Sequence, residues 1–311
     1  LRAAQGEETV KGKVVLVTGA TFGIGQATAL QIARMGATVI VAGRNEAKSQ
    51  AVVHSLRQET GNPNVDYLLA DLSSISQTTA LAQEFQARYD RLDVLINNVG
   101  VFLWRRHETV DGLEHTFALN HLVGYFLLTR LLLDRLRASA PSRIVSVSSD
   151  AHFGGKIHFD DLQGQRRFSG WKAYSQSKLA NVLFTYALAR RLEGSGVTAN
   201  TLHPGVVASG FPVPDNTPDV LARGFLKLYG LVARSPSEGA ETSVYLATAP
   251  EVEGVTGRYF AEKQPKESAE ISYDQAIQER LWRVSEQLLA ERAPGGLSVP
   301  VAEPATLEFA T

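Results

Sequence analysis

KVVLVTGATFGIG, residues 13–25, begins with an apolar run and becomes glycine-rich. A strand with one wet face alternates apolar and polar residues. VVLV does not alternate, so both of its faces must be covered. Gly23 to Met35 then follows with helical spacing. The same order recurs along the chain. ATVIVAG (37–43), VDYLLAD (65–71), DVLINN (93–98), SRIVSVSS (142–149), VTANTLHPG (197–205) and GRYF (257–260) read as strands. Helical segments are expected at 45–60, 74–89, 110–139, 172–193, 220–232 and 271–290. Strands that alternate with helices and are apolar on both faces predict an α/β fold, a doubly wound parallel sheet with helices on both faces. No repeat or linker interrupts residues 11–290, so one domain is expected there, after an N-terminal arm (1–10). The tail, 291–311, is rich in proline, glycine and small residues and is expected to be flexible.

Composition removes several function classes. The 311 residues are 44% hydrophobic and 20% charged, the balance of an ordinary globular protein. Lysine plus arginine number 31 and aspartate plus glutamate 32, so no basic excess points to nucleic acid. The chain has no cysteine, which excludes disulfides, thiolate nucleophiles and cysteine metal sites. LRAAQGEETVKG lacks the apolar stretch of a signal peptide. The most apolar segment, TFALNHLVGYFLLT, is shorter than the roughly 20 residues a membrane span needs. A cytoplasmic location is the resulting expectation.

TGATFGIG (18–25) lies between the first strand and the first helix. Glycines there let the backbone turn tightly and approach a pyrophosphate whose charge sits at the helix N-terminus. Gly19, Thr21, Phe22, Gly23, Ile24 and Gly25 are therefore candidate cofactor-binding residues. The end of the second strand bears on which dinucleotide is bound. A carboxylate there would hold the ribose 2′-hydroxyl of NAD. This chain has Gly43 followed by Arg44, and a guanidinium can pair with a 2′-phosphate. NADP(H) is the expected cofactor.

AYSQSKLA (173–180) places Tyr174 and Lys178 four positions apart, on one face of a helix. A phenol with a pKa near ~10 is a poor acid or base at neutral pH. A nearby ammonium favours the phenolate and makes it a better one. Alone, this spacing also fits an ordinary surface pair.

TGATFGIG, NNVG (97–100), Ser148-Ser149, YSQSK and HPG (203–205) occur in that order. Together they resemble the short-chain dehydrogenase/reductase family, over about residues 11–290. The segment from IHFDDLQ through the tyrosine helix, with GRYFAEKQP and LWRVSEQLL, resembles its retinol-dehydrogenase-like branch. The resemblance implies a single-domain Rossmann fold and NADP(H)-dependent interconversion of apolar or aromatic carbonyls and alcohols. It implies Tyr174 as proton donor and acceptor, with Lys178 tuning it and binding the ribose. Ser149 would hold the substrate oxygen, with Ser148 the competing assignment. Asn120, in FALNHL, would hold a water beside the lysine. Asp71 and Leu72 would lie beside the adenine, and Asn98 and Gly100 would line the cofactor. Pro204, Gly205, Val207 and Ser209 would bind the carboxamide end. Val99, where the family usually has alanine, and Ser175, where the branch often has cysteine, depart from the pattern without removing a catalytic group.

The remaining candidates have plainer readings. His115, His121, His152 and His158 lack the HExxH spacing of a metal site, so no metal is expected. His203 is read as shaping its loop. Trp104, Phe211 and the 220–232 segment either line an apolar substrate pocket or pack as core. That segment could also rest on a membrane surface. Leu127–Leu133 is either core or an interface of a homodimer. The second functional reading is a non-catalytic NADPH-sensing protein on the same fold.

Overall fold

The structure, a computed structural model, describes residues 10–205, 207 and 234–293. Residues 1–9 of the expected arm (1–10) and 294–311 of the expected tail lie outside the described residues, as do Ser209, Phe211 and the 220–232 segment. Strand β1 (Val14–Thr18) is followed by α1 (Gly23–Arg34), β2 (Thr38–Gly43), α2 (Glu46–Thr60), β3 (Val65–Leu69), α3 (Ile75–Arg88) and β4 (Val94–Asn97). A long helix, α4 (His115–Ala138), leads to β5 (Ser142–Val147), then α5 (Gly170–Arg191) and β6 (Val197–His203). Helix α6 (Pro236–Thr248), strands β7 (Tyr259–Ala261) and β8 (Gln264–Lys266) and helix α7 (Gln275–Arg292) complete it.

The strands form one sheet in the order β3-β2-β1-β4-β5-β6-β7-β8. All neighbours are parallel except β7 and β8. The doubly wound α/β expectation therefore holds, with an antiparallel edge added. The reason is visible in β1. Val15 and Val17 pack with α1, α2 and α6 on one face. Val14 and Leu16 pack with α3, α4, α5 and α7 on the other.

Several differences from the sequence reading have local causes. The segment expected to be helical from 110 begins only at His115, because the Glu114 side chain caps it by accepting from the Thr116 and Phe117 N–H groups. Its middle, Ala118–Leu127, is a π-helix, a local widening that periodicity does not reveal. The apolar segment read as too short for a membrane span belongs to a helix of 24 residues. By length and composition that helix could cross a membrane, but 94% of its apolar window is buried inside the fold. Leu127, Leu128, Leu132 and Leu133 are accordingly core. Helix α6 was not anticipated, although Ser235, Pro236 and Glu238 carry its signal: a capping box with proline in the first turn.

Candidate active site

The site lies where β1, β2, β4, β5 and β6 end, at the crevice between β1 and β4 where the strand order reverses. Open α/β sheets bind their ligands at such a point. Gly19 and Gly23 have positive φ values, 65° and 60°, so the chain can leave β1 and enter α1 in one tight turn. A Cβ on Gly25 would stand 2.4 Å from the Gly19 carbonyl oxygen and 2.5 Å from Asn98 Nδ2. Asn98 explains that crowding. Its side chain donates to the Thr18 carbonyl at 2.8 Å, and its backbone N–H donates to Thr18 Oγ1 at 2.9 Å. The asparagine staples β4 to the turn.

A cleft of about 260 Å³ opens over this turn. Gly19, Thr21, Phe22, Ile24, Gly25, Arg44, Asp71, Leu72, Asn98 and Gly100, all expected at the cofactor, line it. Gly23 sits in the turn beneath. Sequence reasoning missed Gly43, Val101 and His115 as lining residues. Gly43 carries no side chain for a structural reason: a Cβ there would stand 2.6 Å from Thr21 Cγ2 and 2.8 Å from Ser49 Oγ. A larger hollow of about 460 Å³ lies at the opposite end of the strands, among Lys13, Pro141, Arg143 and Glu253, and contains none of the expected site residues.

Helix α5 brings Tyr174 and Lys178 to the same end of the sheet. Lys178 is 4% exposed. Its Nζ donates to the Val147 carbonyl at 3.1 Å and lies 5.7 Å from the centre of the Tyr174 ring. Burial lowers its pKa from 10.5 to about 8. A Cβ on Gly100 would stand 3.4 Å from Lys178 Nζ and 3.6 Å from Asn120 Oδ1, so both groups flank the inner end of the cleft. The Asn120 amide is engaged by protein: Oδ1 accepts from Val101 N–H at 2.8 Å, and Nδ2 donates to the Val101 carbonyl and to Ser177 Oγ.

The two serines after β5 differ in employment. Ser148 is buried, and its hydroxyl donates to the Lys178 carbonyl at 2.8 Å. Ser149 is half-buried, and its Oγ accepts from Ala151 N–H at 3.2 Å. Aromatic rings gather around Tyr174. Phe102 meets it edge-on at 5.6 Å, Trp104 meets Phe102 at 4.6 Å, and Trp171 lies 6.4 Å from Tyr174. Trp104 and Trp171 are exposed. Pro204 and Gly205 follow β6, and Val207 packs where a Cβ on Gly239 would be.

The histidines weighed as metal ligands take structural or cleft positions. His121 is buried against Asn181 and the rings of Phe117 and Phe184. His152 is buried between the Ser149 carbonyl and Ala269 N–H.

The family model for the short chain dehydrogenases matches residues 13–217. The chain belongs to this family. Among curated relatives, mouse Retinol dehydrogenase 14 is 45% identical over 89% of this chain and 86% of its own. Human Retinol dehydrogenase 13 is 43% identical over 96% and 91%, and human Polyprenol dehydrogenase 44% over 88% and 84%. This short-chain dehydrogenase therefore falls with the retinol-dehydrogenase-like branch. An uncharacterized protein from Mycobacterium Paratuberculosis has the same fold, with TM-score 0.72, 33% identity and coverage of 91% and 96%. A short chain dehydrogenase from Escherichia coli CFT073, solved in complex with NADPH, aligns with TM-score 0.62, 25% identity and coverage of 82% and 98%.

These relatives correct the expected location. They are named for retinol and polyprenol, isoprenoid alcohols that dissolve in lipid rather than water. The cytoplasmic expectation is withdrawn. It rested on the first dozen residues and on an apolar stretch whose helix is longer than its most apolar part.

Proposed function

We propose that this short-chain dehydrogenase interconverts an apolar carbonyl compound and its alcohol using NADP(H). Tyr174, Lys178, Ser149 and Asn120 form its catalytic set. The observation that carries the reading is Lys178: an ammonium sunk in the fold, between the Tyr174 ring and the end of β5 that leads to Ser149, beside Gly100 in the cleft.

The chain's own residues fit the cofactor. The cradle that a Cβ on Gly19 or Gly25 would fill suits a pyrophosphate at the start of α1. Arg44 lines the outer end of the cleft, and the crowding at Gly43 closes the position where a ribose-binding carboxylate would stand. Both favour NADP(H) over NAD(H). Asp71 and Leu72 line the adenine end, and Pro204, Gly205, Val207 and Ser209 serve the nicotinamide end. When bound, NADPH supplies the hydride.

The protein supplies hydrogen bonds and a proton. Ser148 already spends its hydroxyl proton on the Lys178 carbonyl, whereas Ser149 only accepts, from Ala151 N–H. Ser149 is therefore the serine that donates to the substrate oxygen. The Tyr174 hydroxyl donates to the same oxygen and transfers its proton as the alcohol forms. Lys178 Nζ stabilises the phenolate left behind, in a buried setting where the charge is weakly screened. Asn120 fixes Val101 and keeps one Oδ1 lone pair for a water that returns a proton through Lys178. Phe102, Trp104 and Trp171 offer an aromatic wall to an extended apolar chain.

Tyr174→Phe tests the assignment. Turnover of retinal or a long-chain aldehyde with NADPH should nearly vanish while NADPH binding persists. Unchanged turnover would remove Tyr174 from the mechanism.

A further inference from the structure

Asp150 directly follows Ser149, and His203 directly precedes the Pro204–Gly205 turn. The two side chains meet. His203 Nε2 lies 3.1 Å from Asp150 Oδ2, and Gly205 N–H donates to His203 Nδ1 at 3.2 Å. Nδ1 is thus an acceptor, which puts the ring proton on Nε2 and directs it at the carboxylate. The other carboxylate oxygen is occupied too: Tyr259 Oη donates to Asp150 Oδ1 at 3.2 Å. Behind Ser149 the logic repeats. Ala269 N–H donates to His152 Nε2 at 3.1 Å, so His152 Nδ1 carries the proton and donates to the Ser149 carbonyl at 2.7 Å.

We propose that Asp150 and His203 are positioning residues that couple the Ser149 turn to the Pro204–Gly205 turn. The substrate-binding hydroxyl and the nicotinamide end of the cofactor site are then held in register by one hydrogen-bonded chain, Asp150–His203–Gly205. The inference rests on the roles given above to Ser149, Pro204 and Gly205.

The chain requires a neutral imidazole. A protonated His203 still holds Asp150 but has no lone pair left for Gly205 N–H, so the nicotinamide-side turn is released. Burial, the largest influence, lowers the His203 pKa, and Arg234 acts in the same direction. Asp150 and Glu262 oppose it. His152 also faces the ring electrostatically, and Tyr259 faces the shared carboxylate. Because the folded value is lowered, the intact chain is present above the ordinary histidine value of 6.5 and is lost as pH falls below it.

Two variants test the coupling by NADPH fluorescence titration and by turnover of retinal, each from pH 5.5 to 8. Asp150→Ala should weaken NADPH binding and lower kcat, each by about three- to tenfold at pH 7.5, the effect of one lost hydrogen bond. Asp150→Asn keeps an acceptor for Nε2–H and should restore both to within about twofold of wild type. It also removes the negative charge that supports the imidazolium, so the acid limb of NADPH binding should move to lower pH. Wild-type binding and kcat in Asp150→Ala would overturn the inference, as would an acid limb unmoved in Asp150→Asn. If Asp150→Ala does not fold, the Asp150→Asn limb decides alone. Tyr174→Phe separates the two failures: an active Tyr174→Phe enzyme defeats the catalytic assignment, whereas the NADPH titrations still read the coupling.

Discussion

Lys178 Nζ donates to the carbonyl of Val147, the last residue of β5. Tyr125 Oη, from the π-helical part of α4, donates to the same carbonyl at 3.1 Å. One backbone oxygen thus ties the tyrosine helix, α4 and the strand that leads to Ser149, and it does so with a buried ammonium.

A buried lysine with a pKa of about 8 is a cost to the fold. The unfolded chain binds this proton more tightly than the folded one. The lysine's contribution therefore becomes more favourable as pH rises from about 8 to 10.5, by about 3 kcal/mol in full. Lys178→Met, similar in shape and without charge, should lose turnover by about a hundredfold or more. It should nevertheless unfold in urea no more easily than wild type at pH 7. The stability difference between the two should shrink in favour of wild type above pH 8, which parallel urea titrations at pH 7 and pH 10 would show.

Arg44 is exposed at the mouth of the cleft. Its replacement should be felt by a 2′-phosphate and by little else. Arg44→Ala should weaken NADPH binding about ten- to a hundredfold while leaving NADH within about twofold. Gly43→Asp should not create an NADH enzyme, because its Cβ would collide with Thr21 and Ser49. Titration of both cofactors into both variants is the check. Equal losses for NADPH and NADH in Arg44→Ala would argue against phosphate recognition.

Gly25→Ala adds a single methyl group to the tightest point of the glycine turn. With the Gly19 carbonyl oxygen 2.4 Å away and Asn98 Nδ2 2.5 Å away, the staple between β1 and β4 must open. The expected cost is about 1–3 kcal/mol, with loss of dinucleotide binding. Thermal unfolding with and without NADPH would show a lower midpoint and no shift on adding cofactor.

His121 should make the fold sensitive to acid. Burial pushes its pKa down to about 4, against a weaker opposing hydrogen bond from Asn181. Its neutral form therefore contributes stability above pH 6.5 that is lost as pH falls toward 4, about 3 kcal/mol in full. His121→Gln keeps a polar partner for Asn181 and cannot titrate. Urea unfolding at pH 7 and pH 4.5 should show a smaller acid loss in the variant than in wild type.

Much of the fold was legible because both faces of the sheet are buried. Runs such as VVLV and VIVA betray that without any knowledge of their neighbours. The glycine turn was legible because strand, turn and helix are contiguous. What escaped was set by contacts across the chain or by departures from regular periodicity. The π-helix keeps an apolar pattern that reads as ordinary helix. His115 was weighed as a metal ligand, yet it lines the cofactor cleft only because α4 starts beside Arg44 and Asp71. The different employment of Ser148 and Ser149 depends on which of them faces the Lys178 carbonyl. The link between Asp150 and His203 joins residues on different strand ends, and neither residue announces it locally.

The short antiparallel strand β8 forms the rim of the sheet among the described residues. Its three residues, Gln264, Pro265 and Lys266, are all exposed. Proline offers no N–H to a newcomer, and lysine places a charge on the rim. A bare parallel edge at β7 would invite another chain to extend the sheet. Among the described residues the hairpin instead ends it, in a form that offers a newcomer few hydrogen-bonding groups.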